Sequence, residues 1–184
     1  MLYEIHVTVK ETADNIDKWK ELCHKLNINP LFIKLFQGEN QSQLMCSADF
    51  EGSMQQLRLY TYYLQREARK NGFSILRTKL ECPLNHYRFL DHKPPRYFEC
   101  YIKIAEEDAI DIYNVGQSLN LLVSQNQFSR KYFLNIRNYQ SIENADWEFP
   151  MLIEVIKGVY PIKKVDQRCI IYDSNPNLDK GWVM

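Results

Sequence analysis

The stretch LYEIHVTV places His6 and Thr8 two residues apart, an imidazole and a hydroxyl on one side of an extended chain. Imidazole titrates near neutral pH, so such a pair can move a proton while the hydroxyl holds an oxyanion. The matching place in a later stretch, FECYIKI, holds Tyr101 and Lys103, a phenol able to give a proton and an ammonium able to bind a phosphate. Two other sets have the donors of metal ligands. Cys82, His86, His92 and Cys100 offer the sulfur and imidazole that zinc takes, but the close cysteine pair of a structural zinc site is missing. A buried thiol and two solvated linker histidines are the plainer reading. Asp173, Asn175, Asn177 and Asp179 set oxygens at alternate positions, as at the start of a calcium loop. The glycine and glutamate that such a loop needs are Leu178 and Met184, so Asx-turn chemistry is favoured, with Trp182 docking the tail. The expected cofactor complement is none, and no metal is assigned.

These residues need elements to position them. From Tyr3 to Lys10 the chain alternates, with Tyr3, Ile5, Val7 and Val9 on one face and Glu4, His6, Thr8 and Lys10 on the other. A helix follows, carrying Ile16, Trp19, Leu22, Cys23 and Leu26 at helical spacing, with Asp14 as N-cap and Asn27 and Pro30 at its end. LFIKLF (31–36) and LMCSA (44–48) read as a hairpin. Ser53 and Gln56 form a capping box for a helix striped with Leu57, Tyr60, Leu64 and Ala68, stopped by Asn71-Gly72. FSILRTKLE (73–81) closes this half as a strand. The order βαββαβ predicts a ferredoxin-like unit, an antiparallel sheet with its helices on one face.

The second half opens in the same way, since Tyr3–Val9 matches Phe98–Ile104 in alternation, Glu4 against Glu99 and His6 against Tyr101. A helix with Ile112, Val115, Leu119 and Leu122 on one stripe follows, with Asp108 near its start. KYFLNIRNY (131–139) is a strand, Phe149 to Ile156 a short helix with Pro150 in its first turn, and DQRCIIYD (166–173) the last strand. SIENADWEF stands where the second hairpin is expected. The expectation is an α+β chain of tandem duplicated ferredoxin-like halves, 1–83 and an imperfect 97–184, joined by a connector at 84–96. With helices on the apolar faces, Glu4, His6, Thr8 and Lys10 and then Glu99, Tyr101 and Lys103 lie on open faces. Phe32 and Phe36 alternate with Lys34, so an open face could also carry aromatics. Two halves meeting across such faces would enclose a partly polar cleft, a common place for a ligand.

Composition bounds the function. At 184 residues the chain can bury a full core without metal or disulfide. Its 23 basic and 23 acidic residues balance, which weighs against a dedicated nucleic-acid binder. RNA binding on a stacking sheet would need outward aromatics, whereas Tyr3 falls inward. Five cysteines without framework spacing read as reduced thiols, and with no leader or long apolar run the expected place is the cytoplasm, off any membrane. Phosphate-loop, nucleophile-elbow and H-E-x-x-H patterns are missing. The residues leave the partner, small molecule or protein, and the oligomeric state open.

His6-Val7-Thr8-Val9 resembles the H-x-T-x motif of the two-histidine phosphoesterases. That resemblance implies a duplicated α+β fold, one motif from each half at a central cleft, and histidines acting as base and acid on cyclic nucleotides or RNA ends. It carries over to His6 and Thr8 only. The second motif is replaced by Tyr101 and Lys103, and the other candidate, His86-Tyr87-Arg88-Phe89, lacks the hydroxyl residue. The leading expectation is therefore a binding module with its ligand or partner at the cleft, and the phosphoesterase is the alternative.

Overall fold

The computed structural model describes residues 1–87, 94–105 and 109–181. The first half runs β1 (Leu2–Val9), α1 (Ile16–Lys25), β2 (Asn29–Leu35), β3 (Ser42–Glu51), α2 (Met54–Lys70) and β4 (Ile75–Pro83). After a single helical turn, α3 (Leu84–Tyr87), come β5 (Tyr97–Ile104), α4 (Ala109–Ser118), β6 (Leu122–Asn126), β7 (Lys131–Asn138), α5 (Ile142–Lys157) and β8 (Ile162–Asp173). A 3-10 turn, Pro176–Asp179, ends the described chain.

The strands do not form two open ferredoxin-like sheets facing each other. They form one closed antiparallel barrel in the order β1-β3-β2-β6-β7-β5-β8-β4. What overturns the open-sheet expectation is pairing between the halves at both edges. β2 meets β6 from Ile33 opposite Asn126 to Leu35 opposite Ser124, and β4 meets β8 from Lys79 opposite Asp173 to Pro83 opposite Arg168. Each edge strand thereby satisfies the backbone groups that it would otherwise show to solvent.

Period-two alternation then sorts every strand into an outer and an inner row. The outer row, with Ile5, Val7, Leu44, Cys46, Ile102 and Leu134, packs under the helices and forms the main apolar core. α1 lies on β2, α2 on β1 and β4, α4 on β6, and α5 on β5 and β7. Trp19 anchors α1, its indole N–H donating to the Met45 carbonyl at 2.9 Å and its ring meeting Phe73 edge-on. Ser53 caps α2 as expected: its hydroxyl accepts from the Gln56 N–H, and the Gln56 side chain accepts from the Ser53 N–H. Phe32 and Phe36 belong to this outer layer, so they are not on an inner face. All five cysteines are buried and unpaired by disulfide.

Other local expectations change. α1 takes Asn15, not Asp14, at its N-cap position. The second hairpin exists, but it is β6–β7, placed earlier than expected. Asn120 sits at φ 55 and ends the helical run, so Leu122 is a strand residue and not part of a helix stripe. SIENADWEF instead begins α5, where the Ser141 hydroxyl accepts from the Asn144 N–H and Pro150 lies inside the helix. The closing strand starts at Ile162, four residues before the expected 166. Asp108, Arg88, Phe89, His92, Trp182 and Met184 lie outside the described residues. Among the described residues no helix is long and apolar enough to cross a membrane.

Candidate functional site: the charged barrel lumen

The inner rows enclose a cavity of about 610 Å³. One wall is apolar, made by Leu31, Ile33 and Leu35 of β2 with Met45 and Phe133; the opposite wall is ionic. The expected cleft between sheets is thus the lumen of a single barrel. All four residues singled out from sequence line it, yet they do not assemble into a catalytic set.

His6 is held between two carboxylates, with Nε2 3.0 Å from Glu4 Oε1 and Nδ1 3.5 Å from Glu81 Oε1. Burial favours the neutral ring, but the charges of Glu81 and Glu4 and the Glu4 hydrogen bond outweigh it, so His6 stays protonated above its ordinary 6.5. Glu4 also accepts from Ser47 and pairs with Arg168 at 3.0 Å; despite desolvation, these partners hold its carboxyl far below the usual range. Thr8 is buried beside Arg77 across the β1–β4 ladder.

Tyr101 lies deeper than a substrate-facing acid would. Its hydroxyl accepts from Lys79 at 2.6 Å and lies 2.7 Å from Glu99 and 3.1 Å from Glu81, the carboxylates to which it can donate. Burial and those two carboxylates push its pKa well up, which keeps it a neutral phenol. Lys79 bridges Glu81 at 2.8 Å and Glu99 at 3.1 Å, and Arg137 binds Glu99 at 2.9 Å. Burial alone would raise Glu99, but Arg137 and Lys79 hold it far below the carboxylate range.

The far end of the lumen is stoppered by the chain's own C-terminal segment. Asp179 accepts from Arg77 and Arg137, each at 2.7 Å, and from the Gln43 amide at 2.8 Å. Arg77 also grips Asp173 through two nitrogens at 2.9 and 2.5 Å. Asn40 donates to the Leu178 carbonyl, Lys180 pairs with Glu39, and Gly181 packs against Gly38 so closely that a Cβ would fall 3.3 Å from its Cα. The calcium-loop pattern is thereby explained without calcium: Asp173 and Asp179 are arginine ligands, and Asp173 also accepts from the Asn175 N–H as an Asx turn does.

The deep network holds four cations (Arg77, Lys79, Arg137, Arg168) and five carboxylates (Glu4, Glu81, Glu99, Asp173, Asp179). It is one positive charge short, and the His6 imidazolium supplies it. Glu4, His6 and Glu81 form the one metal-capable trio among the described residues. Each carboxylate, however, faces a different ring nitrogen, and a cation can take only one. The zinc set disperses: Cys82 lies beside Cys169 on the outer row, Cys100 is buried there with its thiol pushed up to about 12, and His86 is in α3.

The open end has a different character. Lys103, Lys131 and Lys164 edge it, with Asp166 the lining acid on β8. Desolvation and repulsion from Lys131, Lys163 and Lys164 lower the Lys103 pKa. Sequence reading missed Arg77, Lys79 and Glu81, although R-T-K-L-E repeats ionisable residues at period two within one strand. It also missed Arg137, Asp166 and Arg168 as lining groups.

The fold and site define a closed antiparallel barrel with helices outside and an ionic lumen. No protein-family model matches the chain, and neither does any curated protein sequence. Among solved structures, the acetolactate synthase small subunit from Thermotoga maritima aligns over 94% of this chain and 96% of that chain, at 14% identity and a TM-score of 0.35. A protein named as a glycine cleavage system transcriptional repressor aligns over 93% of this chain and 98% of that one, at 13% identity and a TM-score of 0.29. At these scores the likeness assigns neither fold nor function. The comparisons lend the phosphoesterase expectation no support, and among the described residues His6 is the only histidine lining the lumen, held between Glu4 and Glu81.

Proposed function

We propose that the protein is a binding module for a small organic anion carrying an apolar portion, taken up through the lysine-edged mouth of the barrel. The observation that carries this reading is the division of charge along the lumen. The deep network neutralises itself once His6 is protonated, while at the mouth Asp166 pairs with Lys164 and leaves the charges of Lys103 and Lys131 unbalanced among the described lining residues. Uncompensated ammonium groups at a concave opening draw anions in and hold them. The apolar wall beside them supports a guest with a hydrocarbon or aromatic part, and the cavity volume is that of a small-molecule site. The groups able to transfer protons, His6 and Tyr101, are tied to Glu4, Glu81, Glu99 and Lys79, which favours binding over turnover.

The test is fluorescence titration with 1-anilinonaphthalene-8-sulfonate, an anion with an aromatic body. One saturable site is expected, weakened about tenfold or more by the double variant Lys103→Glu/Lys131→Glu and blocked by Ile33→Trp, which fills the apolar wall. Binding that ignores both changes in folded protein sinks the proposal.

A further inference from the structure

The outer surface carries two exposed apolar stripes, one on the second helix of each half. On α2, Leu59, Tyr62 and Tyr63 face outward at helical spacing; Leu59 and Tyr62 are 65% and 61% exposed. On α5, Trp147, Met151 and Val155 do the same, Trp147 at 65%. Large side chains aligned along two turns of α2 and three of α5 in water mark a contact surface more often than chance exposure. Neither stripe is covered by another described element.

The charges around the stripes are opposite. α2 carries Arg58, Arg66, Arg69 and Lys70 against Glu67 alone. α5 carries Glu143, Asp146, Glu148 and Glu154 against Lys157 alone. Like faces therefore repel, and unlike faces attract. In an antiparallel pairing of α2 with the α5 of another molecule, Leu59 meets Val155 and the tyrosines meet Met151. Arg66, which already lies over the Tyr63 ring at 5.9 Å, reaches Trp147 in the same way. The basic end of α2 then falls beside the acidic start of α5. Within one molecule the two stripes do not meet: β8 separates the strands under α2 from those under α5, and both stripes are exposed.

We propose that α2 of one copy docks on α5 of the next, a head-to-tail contact between copies of this chain. Such a contact joins two different surfaces, so made once between each pair of molecules it builds a ring or an open chain. It does not depend on what the lumen binds.

Sedimentation velocity over about 10 to 200 µM tests it, the range in which a single helix-pair contact should be populated. Association that rises with concentration at low salt and weakens in about 0.5 M NaCl is expected, since the rim charges are exposed. Two charge-reversed proteins extend the test: Arg58→Glu/Arg66→Glu/Arg69→Glu on α2 and Glu143→Lys/Asp146→Lys/Glu154→Lys on α5. Each should be monomeric alone, with a cooperative circular dichroism melt that shows it folded, and the two should associate when mixed. Wild-type protein that stays monomeric across the range at low salt would assign the stripes to some other partner and overturn the proposal. Reversed proteins that still self-associate, or that fail to associate on mixing, overturn it equally.

Discussion

Replacing Asp179 with alanine removes the stopper of the barrel, and its cost can be worked from the contacts. The variant loses two hydrogen bonds from guanidinium groups and one from an amide, at 2.7, 2.7 and 2.8 Å. All three are charge-assisted, because the acceptor is a carboxylate, and such bonds contribute about 1.5–3 kcal/mol each. The arginines are not abandoned, because Arg77 keeps Asp173 and Arg137 keeps Glu99. The net loss is therefore that of breaking one member of a buried ionic cluster, about 3–5 kcal/mol. In a chain of this size that lowers Tm by about 6–20 °C. Burial works against the Asp179 charge, but Arg137 and Arg77 outweigh it and its pKa is depressed. Its contribution is therefore complete above the ordinary value of 3.8 and lost as pH falls through the lower folded value, so neutral pH shows the full effect. Calorimetry of Asp179→Ala and Asp179→Asn at neutral pH measures it, with the asparagine variant intermediate because its amide oxygen still accepts. A loss below about 1 kcal/mol for the alanine variant would refute the stopper argument.

Other outcomes follow from the same geometry. His6 has a raised folded pKa, so the stability it adds is fully present below about 6.5 and lost as pH rises through the folded value. Urea denaturation of wild type against His6→Gln should show the wild-type advantage shrinking from about pH 6.5 upward; parallel profiles would count against the imidazolium assignment. Gly116 in α4 has room for no more than hydrogen, since a Cβ there would fall 2.3 Å from the Val123 Cγ2. Gly116→Ala should cost about 1–3 kcal/mol in a thermal melt, and Val123→Ala should recover part of it.

Period-two reading told which side of β1 and β5 faces the lumen, because an alternation of apolar and polar residues is a local signal. Glu4, His6, Thr8, Glu99, Tyr101 and Lys103 could be grouped from it. Closure of the sheet could not be read the same way. It rests on β2 meeting β6 and β4 meeting β8, pairings between residues about ninety positions apart with no local signature. Once the sheet closes, the face expected to be wet becomes an interior, and its charges must neutralise one another instead of meeting water. This explains why Arg77, Lys79 and Glu81 matter and why they passed as ordinary strand polarity. Pro150 misled for another reason: it invites a helix start, yet α5 accepts it in mid-course after capping at Ser141.

The barrel's staves are stapled unevenly. β1 and β3 run together from Leu2 opposite Glu51 to Val9 opposite Leu44, whereas the β2–β6 ladder covers only Ile33 to Leu35, with one flanking backbone bond at each end, Gln127 to Phe32 and Phe36 to Val123. Local opening proceeds where the fewest backbone bonds must break, which makes this seam the weakest stave joint in the ring. Its inner side is the greasy wall of Leu31, Ile33 and Leu35. Amide exchange should therefore be fastest along Ile33–Leu35 and Ser124–Asn126 among the barrel staves, and on the proposed binding role this seam is where the wall would part for a guest too wide for the rim.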